Sequence, residues 1–335
     1  MQFKQPPILH NENGEARTVG FELEYTNVGV EESAQLIQDL YGGEIEKKNR
    51  FKQKVKGTSL GDFTVEFDLT LLTEKRYKSV FETFNIHIED VKLGSGTLED
   101  EVEETLSSII SKVIPNEIAC PPVPCTKLDQ LEKLRKALYD RRAEGTESFI
   151  TNAFGTHINV EVPAADVETI LTYLRAFLLL YPWLLQKGKT DLARKMSPFI
   201  NPYPTEYVEL ALNTSYHPDL SELIQDYHVY NPDRNRPLDL YPLFAALRND
   251  LLESYSDIGK VKARKTFHYR LPNSSVAQPD WTLAQEWNNW VFIEELAYNR
   301  EKVHQLCQEY IALKEDTLVG FESRWIKRTE QWLTY

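Results

Sequence analysis

The chain is short of sulfur and of positive charge. Three cysteines and two methionines occur in 335 residues. So small and odd a cysteine count argues against a disulfide framework and fits a reducing compartment. A chain of this length buries a full core without one. Lys and Arg number 38 against 51 Asp and Glu, a net charge of -13. That balance argues against nucleic acid and anionic membrane as partners, because phosphate surfaces need a basic footprint. It leaves room for a site that needs cations. Long apolar runs are missing too. The longest stretch, around Ala176 to Leu185, is broken by Pro182 and is too short to span a bilayer. Met1 to Pro7 carry no apolar run of the secretory kind, so the expectation is a cytoplasmic protein. Neither G-x-x-x-x-G-K-[ST] nor H-E-x-x-H occurs, which argues against a P-loop ATPase and a zincin. Gly94-Ser95-Gly96 is a lone turn, not a dinucleotide fingerprint.

What is there reads as an ordinary globular chain, 41% hydrophobic and 27% charged. Residues 1–16 are a polar lead-in. The pattern then predicts a strand over Thr18 to Tyr25 and a helix over Glu31 to Tyr41, ended by Gly42-Gly43. A hairpin over Glu44 to Lys56, a turn over Thr58 to Gly61 and a strand over Asp62 to Asp68 follow. Helices are expected over Leu71 to Phe84 and 98–113. Asn116 to Cys125 is extended, because each Pro pushes its predecessor out of the helical region. Thr126 is the expected cap of a helix over Lys127 to Arg142. Phe154 to Val162 is a second strongly alternating strand. Ala165 to Gln186 is a long helix, apolar nearly all round and therefore buried. Residues 198–242, rich in Pro and Tyr, are expected to shape a pocket rim or lid. Lys262 to Leu271 is the last strand. One helix over Trp281 to Leu313 and a final one reaching Tyr335 close the chain. No repeat or clean linker interrupts it, so 1–335 reads as one α+β domain.

Four segments share one grammar: Phe21 to Tyr25, Thr64 to Asp68, Thr156 to Glu161 and Phe267 to Leu271. Each alternates apolar with polar and sets potential ligands at i and i+2, which a strand sends to one face. A solvated sheet alternates as well. It favours Lys, Thr, Ser and mixed-sign pairs, however, whereas Glu-Glu, Glu-Asp, His-Asn-Glu and His-Arg recur here. If the strands share a sheet, their polar faces form a floor of carboxylates flanked by His and Asn. Hard oxygen ligands of this kind suit Mg²⁺ or Mn²⁺, not Zn²⁺, and Mg²⁺ so held commonly bridges to nucleotide phosphates. Arg270, always charged and forked, is the natural phosphate partner. Cys120 and Cys125 lack a second pair for zinc. Each reads either as a small buried hydrophobe or as a nucleophile near His157.

The order of these motifs resembles the amidoligase family of the glutamine synthetase-like carboxylate–amine ligase superfamily. The resemblance runs from Val19 to Ser275, through Gly20-Phe21-Glu22-Leu23-Glu24, Val65-Glu66-Phe67-Asp68, Glu117-Ile118-Ala119-Cys120-Pro121-Pro122, Phe154-Gly155-Thr156-His157-Ile158-Asn159 and Tyr269-Arg270-Leu271-Pro272-Asn273. It implies a central curved antiparallel sheet backed by long helices. It also implies ATP- and Mg²⁺-dependent amide formation through an acyl-phosphate, from a small-molecule or peptide carboxylate and an amine. Carried over by this resemblance, Glu22 and Glu24 match the pair that binds two divalent metals. Glu66, Asp68 and Glu117 fall near the further acidic positions. His157 lies beside the second metal and the nucleotide, with Asn159 on the nucleotide side, and Arg270 near the γ-phosphate. The metal set is then Glu22, Glu24, Glu66, Glu117, His157 and His268, and the catalytic set Glu66, Asp68 and Arg270. The chain departs from the pattern at His268, where relatives often have Glu, at Asn159, where many have His, and at Ala119, where Ser is usual. Those departures keep in view a catalytically reduced binding protein on the same fold; a metal-dependent amide hydrolase using the same carboxylates is a further alternative.

Overall fold

The structure, a computed structural model, describes residues 1–49, 51–67, 115–146, 155–188, 200–259, 261–317 and 319–333. Asp68 and the helices expected over Leu71 to Phe84 and 98–113 lie outside the described residues. In chain order the first elements are β1 (Thr18–Tyr25), α1 (Val30–Tyr41), β2 (Glu44–Asn49), β3 (Lys52–Thr58), β4 (Gly61–Phe67), β5 (Asn116–Ala119) and β6 (Val123–Pro124). Then come α2 (Asp129–Asp140), β7 (Thr156–Glu161), α3 (Val167–Lys187), α4 (Thr205–Leu212), α5 (Leu220–Tyr230) and β8 (Leu238–Asp239). The chain closes with α6 (Tyr241–Leu252), β9 (Thr266–Tyr269), α7 (Leu283–Tyr298), α8 (Arg300–Glu315) and α9 (Phe321–Leu333).

Among the described residues, nine strands form one sheet in the order β2-β3-β4-β5-β1-β7-β9-β8, with β6 paired to the start of β1. Every strand pair is antiparallel. The fold is therefore α+β, as expected. Strand β1 sits at the centre because it is apolar on one face without interruption: Val19, Phe21, Leu23 and Tyr25 are fully buried. Helices cover that face. Tyr41 of α1 stacks on Phe63 of β4, with ring centroids 5.4 Å apart. Tyr173 of α3 stacks on Phe267 of β9 at 4.9 Å, and Trp290 of α7 packs against both Phe267 and Tyr269. The left-handed glycines Gly42 and Gly43 stop α1 and turn the chain into β2.

A buried ion pair fastens the helical layer to the sheet. Arg17, just before β1, donates to both carboxylate oxygens of Glu294 on α7 at 2.9 and 2.8 Å, and both side chains are 0% exposed. Tyr173 and Trp290 donate to the same carboxylate at 2.8 Å. Arg17 also donates to the backbone carbonyls of Ile8 and of Glu161, the last residue of β7. Burial disfavours the Arg17 cation, but the Glu294 charge and hydrogen bonds outweigh it and raise its pKa further.

Several boundaries differ from expectation for identifiable reasons. The helix over Trp281 to Leu313 is two helices, because Asn299 leaves helical geometry (φ -100°, ψ 80°) and its side chain caps α8 at Lys302 N–H, 3.0 Å away. Thr126 caps nothing: it lies in a 3₁₀ turn over Cys125–Lys127, and α2 starts at Asp129 without a side-chain cap. The last strand shrinks to Thr266–Tyr269. Helix α3, capped by Asp166, runs 21 residues straight through Pro182. By length and composition it could cross a membrane, but 67% of its apolar window is buried in the protein. Among residues 198–242, Tyr203, Tyr207, Tyr227 and Tyr241 are buried and pack on one another's edges and faces. The same segment supplies β8, which pairs β9.

Candidate metal and nucleotide site

On the sheet face away from the helices, alternation brings forward Glu22 and Glu24. Water does not satisfy them: they are 8% and 7% exposed. Sheet register supplies their neighbours. Glu22 lies opposite His157 on one side and Ala119 on the other, and Glu24 opposite Glu117. Asn159 lies between Gly20 and His268, and His268 lies opposite Asp239. These pairings place the polar residues of β1, β5, β7 and β9 on one floor.

The side chains close the arrangement. Glu22 Oε1 accepts from Asn159 Nδ2 at 2.9 Å and from Arg264 Nη1 at 2.7 Å. Glu22 Oε2 faces His157 Nδ1 at 3.1 Å. Glu24 Oε2 accepts from the Gly155 N–H at 2.7 Å, and its Oε1 lies 3.5 Å from His157 Nε2. Asn159 Oδ1 is 2.6 Å from His268 Nδ1. The two imidazoles stand edge to face with centroids 5.0 Å apart. Burial alone would raise the Glu22 carboxyl. The hydrogen bond with His157, the neighbouring His268 and His157 imidazoles and the Arg264 guanidinium outweigh it and hold that group well below the usual carboxylate range. Burial holds the His268 imidazole well below its usual range, so it is neutral at neutral pH. A buried, neutral imidazole and ionised carboxylates are what a dication needs.

Among the described residues, two overlapping triads result. Glu22, His157 and His268 offer ligand atoms within 4.8 Å of one another, and so do Glu24, Glu117 and His157. Five of the six expected metal ligands thus converge. Glu66 does not join them: it faces Glu117 across the β4–β5 ladder, but its carboxylate pairs with Lys52 on β3 and stays partly exposed. Arg270 lies one residue beyond β9. Its N–H donates to Pro237 O at 2.8 Å and its Nη1 to Arg234 O at 2.7 Å. Arg234 in turn pairs with the fully buried Asp239 at 3.2 Å.

A family model described as "putative amidoligase enzyme" matches residues 15–292. The chain belongs to this family. No curated protein and no solved structure matches it. The matched span runs from just before β1 into α7, so the amidoligase family match covers every floor residue. The family's description supports a ligase reading of this chain.

Sequence reasoning missed three residues of this candidate site: Arg264, Arg234 and Asp239. None lies in one of the four alternating segments, and Arg264 reaches Glu22 from a loop two residues before β9. The three thiols are free. Burial pushes Cys125 up to about 12 and Cys307 up to about 11, and burial with the charges of Glu22 and Glu117 raises Cys120 as well. Protonated thiols are poor nucleophiles. Gly57-Thr58-Ser59-Leu60-Gly61 spells the nucleophile-elbow pattern, but it turns between antiparallel β3 and β4 rather than from strand to helix.

Proposed function

We propose that this amidoligase-family chain is an ATP- and Mg²⁺- (or Mn²⁺-) dependent carboxylate–amine ligase that works through an acyl-phosphate. The observation that carries the reading is the pair of buried triads on one sheet face, within a span that matches the family. The donor set fits dications: three carboxylates and two imidazoles converge where lone like charges would be costly. Glu22, Glu24, Glu117, His157 and His268 would hold them. Bound there, the ions would neutralise phosphate oxygens and orient the nucleotide.

The chain's own residues supply the rest. Arg270, with Arg234 beside it, gives a fixed positive corner at the β8–β9 edge, suited to the transferring phosphoryl group. The substrate carboxylate attacks the γ-phosphorus and ADP leaves. The amine nitrogen then attacks the acyl carbon and phosphate leaves. The amine sheds one proton, which Glu66, partly exposed and paired with Lys52, takes up in this reading. Asp68 shares that role in this reading. His157, Asn159 and Arg270 line the nucleotide side. The substrates are a small-molecule or peptide carboxylate and an amine.

Phosphate release from ATP, screened over carboxylate and amine mixtures with Mg²⁺ or Mn²⁺, tests this. Release that needs both substrates supports a ligase. Amide cleavage without ATP identifies a hydrolase instead. Cation binding with neither reaction identifies a binding protein.

A further inference from the structure

The two triads differ in kind. Glu24, Glu117 and His157 offer two carboxylates and share one imidazole, whereas Glu22, His157 and His268 offer two imidazoles and one carboxylate. We propose that the Glu22 triad is a selective site for a later first-row transition dication such as Co²⁺ or Zn²⁺ and discriminates against Mg²⁺. The proposal deepens the ligase reading, on which it rests only for the role of the bound ion.

The hydrogen bonds fix which atoms are free to ligate. An ionised carboxylate only accepts, so the Asn159 atom 2.9 Å from Glu22 is the amide NH₂. The Asn159 atom facing His268 is then the carbonyl oxygen, and it accepts the Nδ1–H of that ring at 2.6 Å. His268 therefore presents the lone pair of Nε2. Asn159 thus positions two of the three donors at once, as an outer-shell partner does in metal sites.

His157 decides how the triads share. Its Nδ1 faces Glu22 at 3.1 Å and its Nε2 faces Glu24 at 3.5 Å. A neutral imidazole has one nitrogen lone pair, so it serves one ion at a time. When Nδ1 ligates beside Glu22, the ring proton sits on Nε2, where Glu24 Oε1 accepts it. The Glu22 triad then has two nitrogens and one carboxylate, and Glu24 with Glu117 keep an oxygen-only pair. Arg264 already shares the charge on Glu22, which weakens its pull on a hard ion further. Imidazole suits the later first-row dications from Fe²⁺ to Zn²⁺, while Mg²⁺ takes oxygen and keeps its waters. The expected centre is mixed, with a transition ion on the histidine side and Mg²⁺ on the carboxylate side.

The test uses the full chain, stripped of metal, without nucleotide. Co²⁺ is titrated in and followed by its visible ligand-field absorption, then challenged with a large molar excess of Mg²⁺. The wild type should keep its Co²⁺ spectrum. His268→Glu should lose it to Mg²⁺, and Asn159→Ala should bind Co²⁺ about 10–100-fold more weakly. Circular dichroism checks that each variant folds, and the wild-type competition stands without either. Mg²⁺ displacing Co²⁺ from the wild type, or no Co²⁺ spectrum at all, overturns the proposal. Selective Co²⁺ retention without ATP-dependent turnover on any ion would sink the ligase reading and leave this assignment standing.

Discussion

Glu294→Ala is the sharpest perturbation of the scaffold. The Glu294 carboxylate holds four donors: two from Arg17, at 2.9 and 2.8 Å, and one each from Tyr173 and Trp290, both at 2.8 Å. Arg17 and Glu294 are both completely buried. Removing Glu294 leaves a guanidinium in the core with no counter-charge, which costs ~3–5 kcal/mol. The orphaned Tyr173 and Trp290 donors add to that, at about 1–3 kcal/mol for each group left unsatisfied. Such terms overlap, so we expect about 4 kcal/mol or more, roughly a thousandfold in the folding equilibrium. Urea unfolding followed by tryptophan fluorescence reads it as a lower midpoint at unchanged slope. The double variant Arg17→Met with Glu294→Met should recover most of the loss, because both charges leave together. A Glu294→Ala loss below about 1 kcal/mol would refute the claim that this pair fastens α7 to the β1–β7 end of the sheet.

Three further outcomes are expected. Gly145→Ala should cost about 1–3 kcal/mol or more in the same unfolding assay, because the added methyl would stand 1.7 Å from the Ser274 carbonyl oxygen; unchanged stability would show that the loop does not make this approach. Cys125 and Cys307, whose thiols burial raises to about 12 and 11, should resist a thiol reagent at about pH 8 until the protein unfolds. The folded state binds more protons than the unfolded state once pH exceeds the unfolded thiol value, about 8.5. Their contribution is therefore complete below that pH and is lost as pH rises through 11 and 12. Glu66→Gln, paired with Lys52 and outside both triads, should leave cation binding intact and slow turnover; weakened cation affinity by calorimetry would return Glu66 to the ligand set.

Much of the floor was legible because strand periodicity carries chemical information directly. Glu22 and Glu24 share a face by spacing alone, and His157 with Asn159 repeats the pattern. Register was not legible, since a strand's partner is set by distant residues. Lys52 therefore could not be foreseen opposite Glu66. Arg264 also escaped notice, because a long side chain on a loop reaches Glu22 without any periodic signal. The break at Asn299 carries neither Gly nor Pro, so the apolar pattern on either side read as one helix. The burial of Glu22 and Glu24 was the decisive addition. Two repelling carboxylates on a solvated strand need no further explanation, but two carboxylates about nine-tenths buried beside imidazoles do.

The most direct measurement is divalent-dependent phosphate release from ATP by the wild type and by Glu24→Ala, side by side, with substrate mixtures that support turnover. Glu24 lies in the carboxylate-rich triad and is held by Gly155 N–H and faced by His157. Glu24→Ala should fold, lose divalent-dependent turnover by about two orders of magnitude or more, and not be rescued by higher Mg²⁺. Turnover by Glu24→Ala equal to the wild type, at the same Mg²⁺ dependence, would contradict the metal floor.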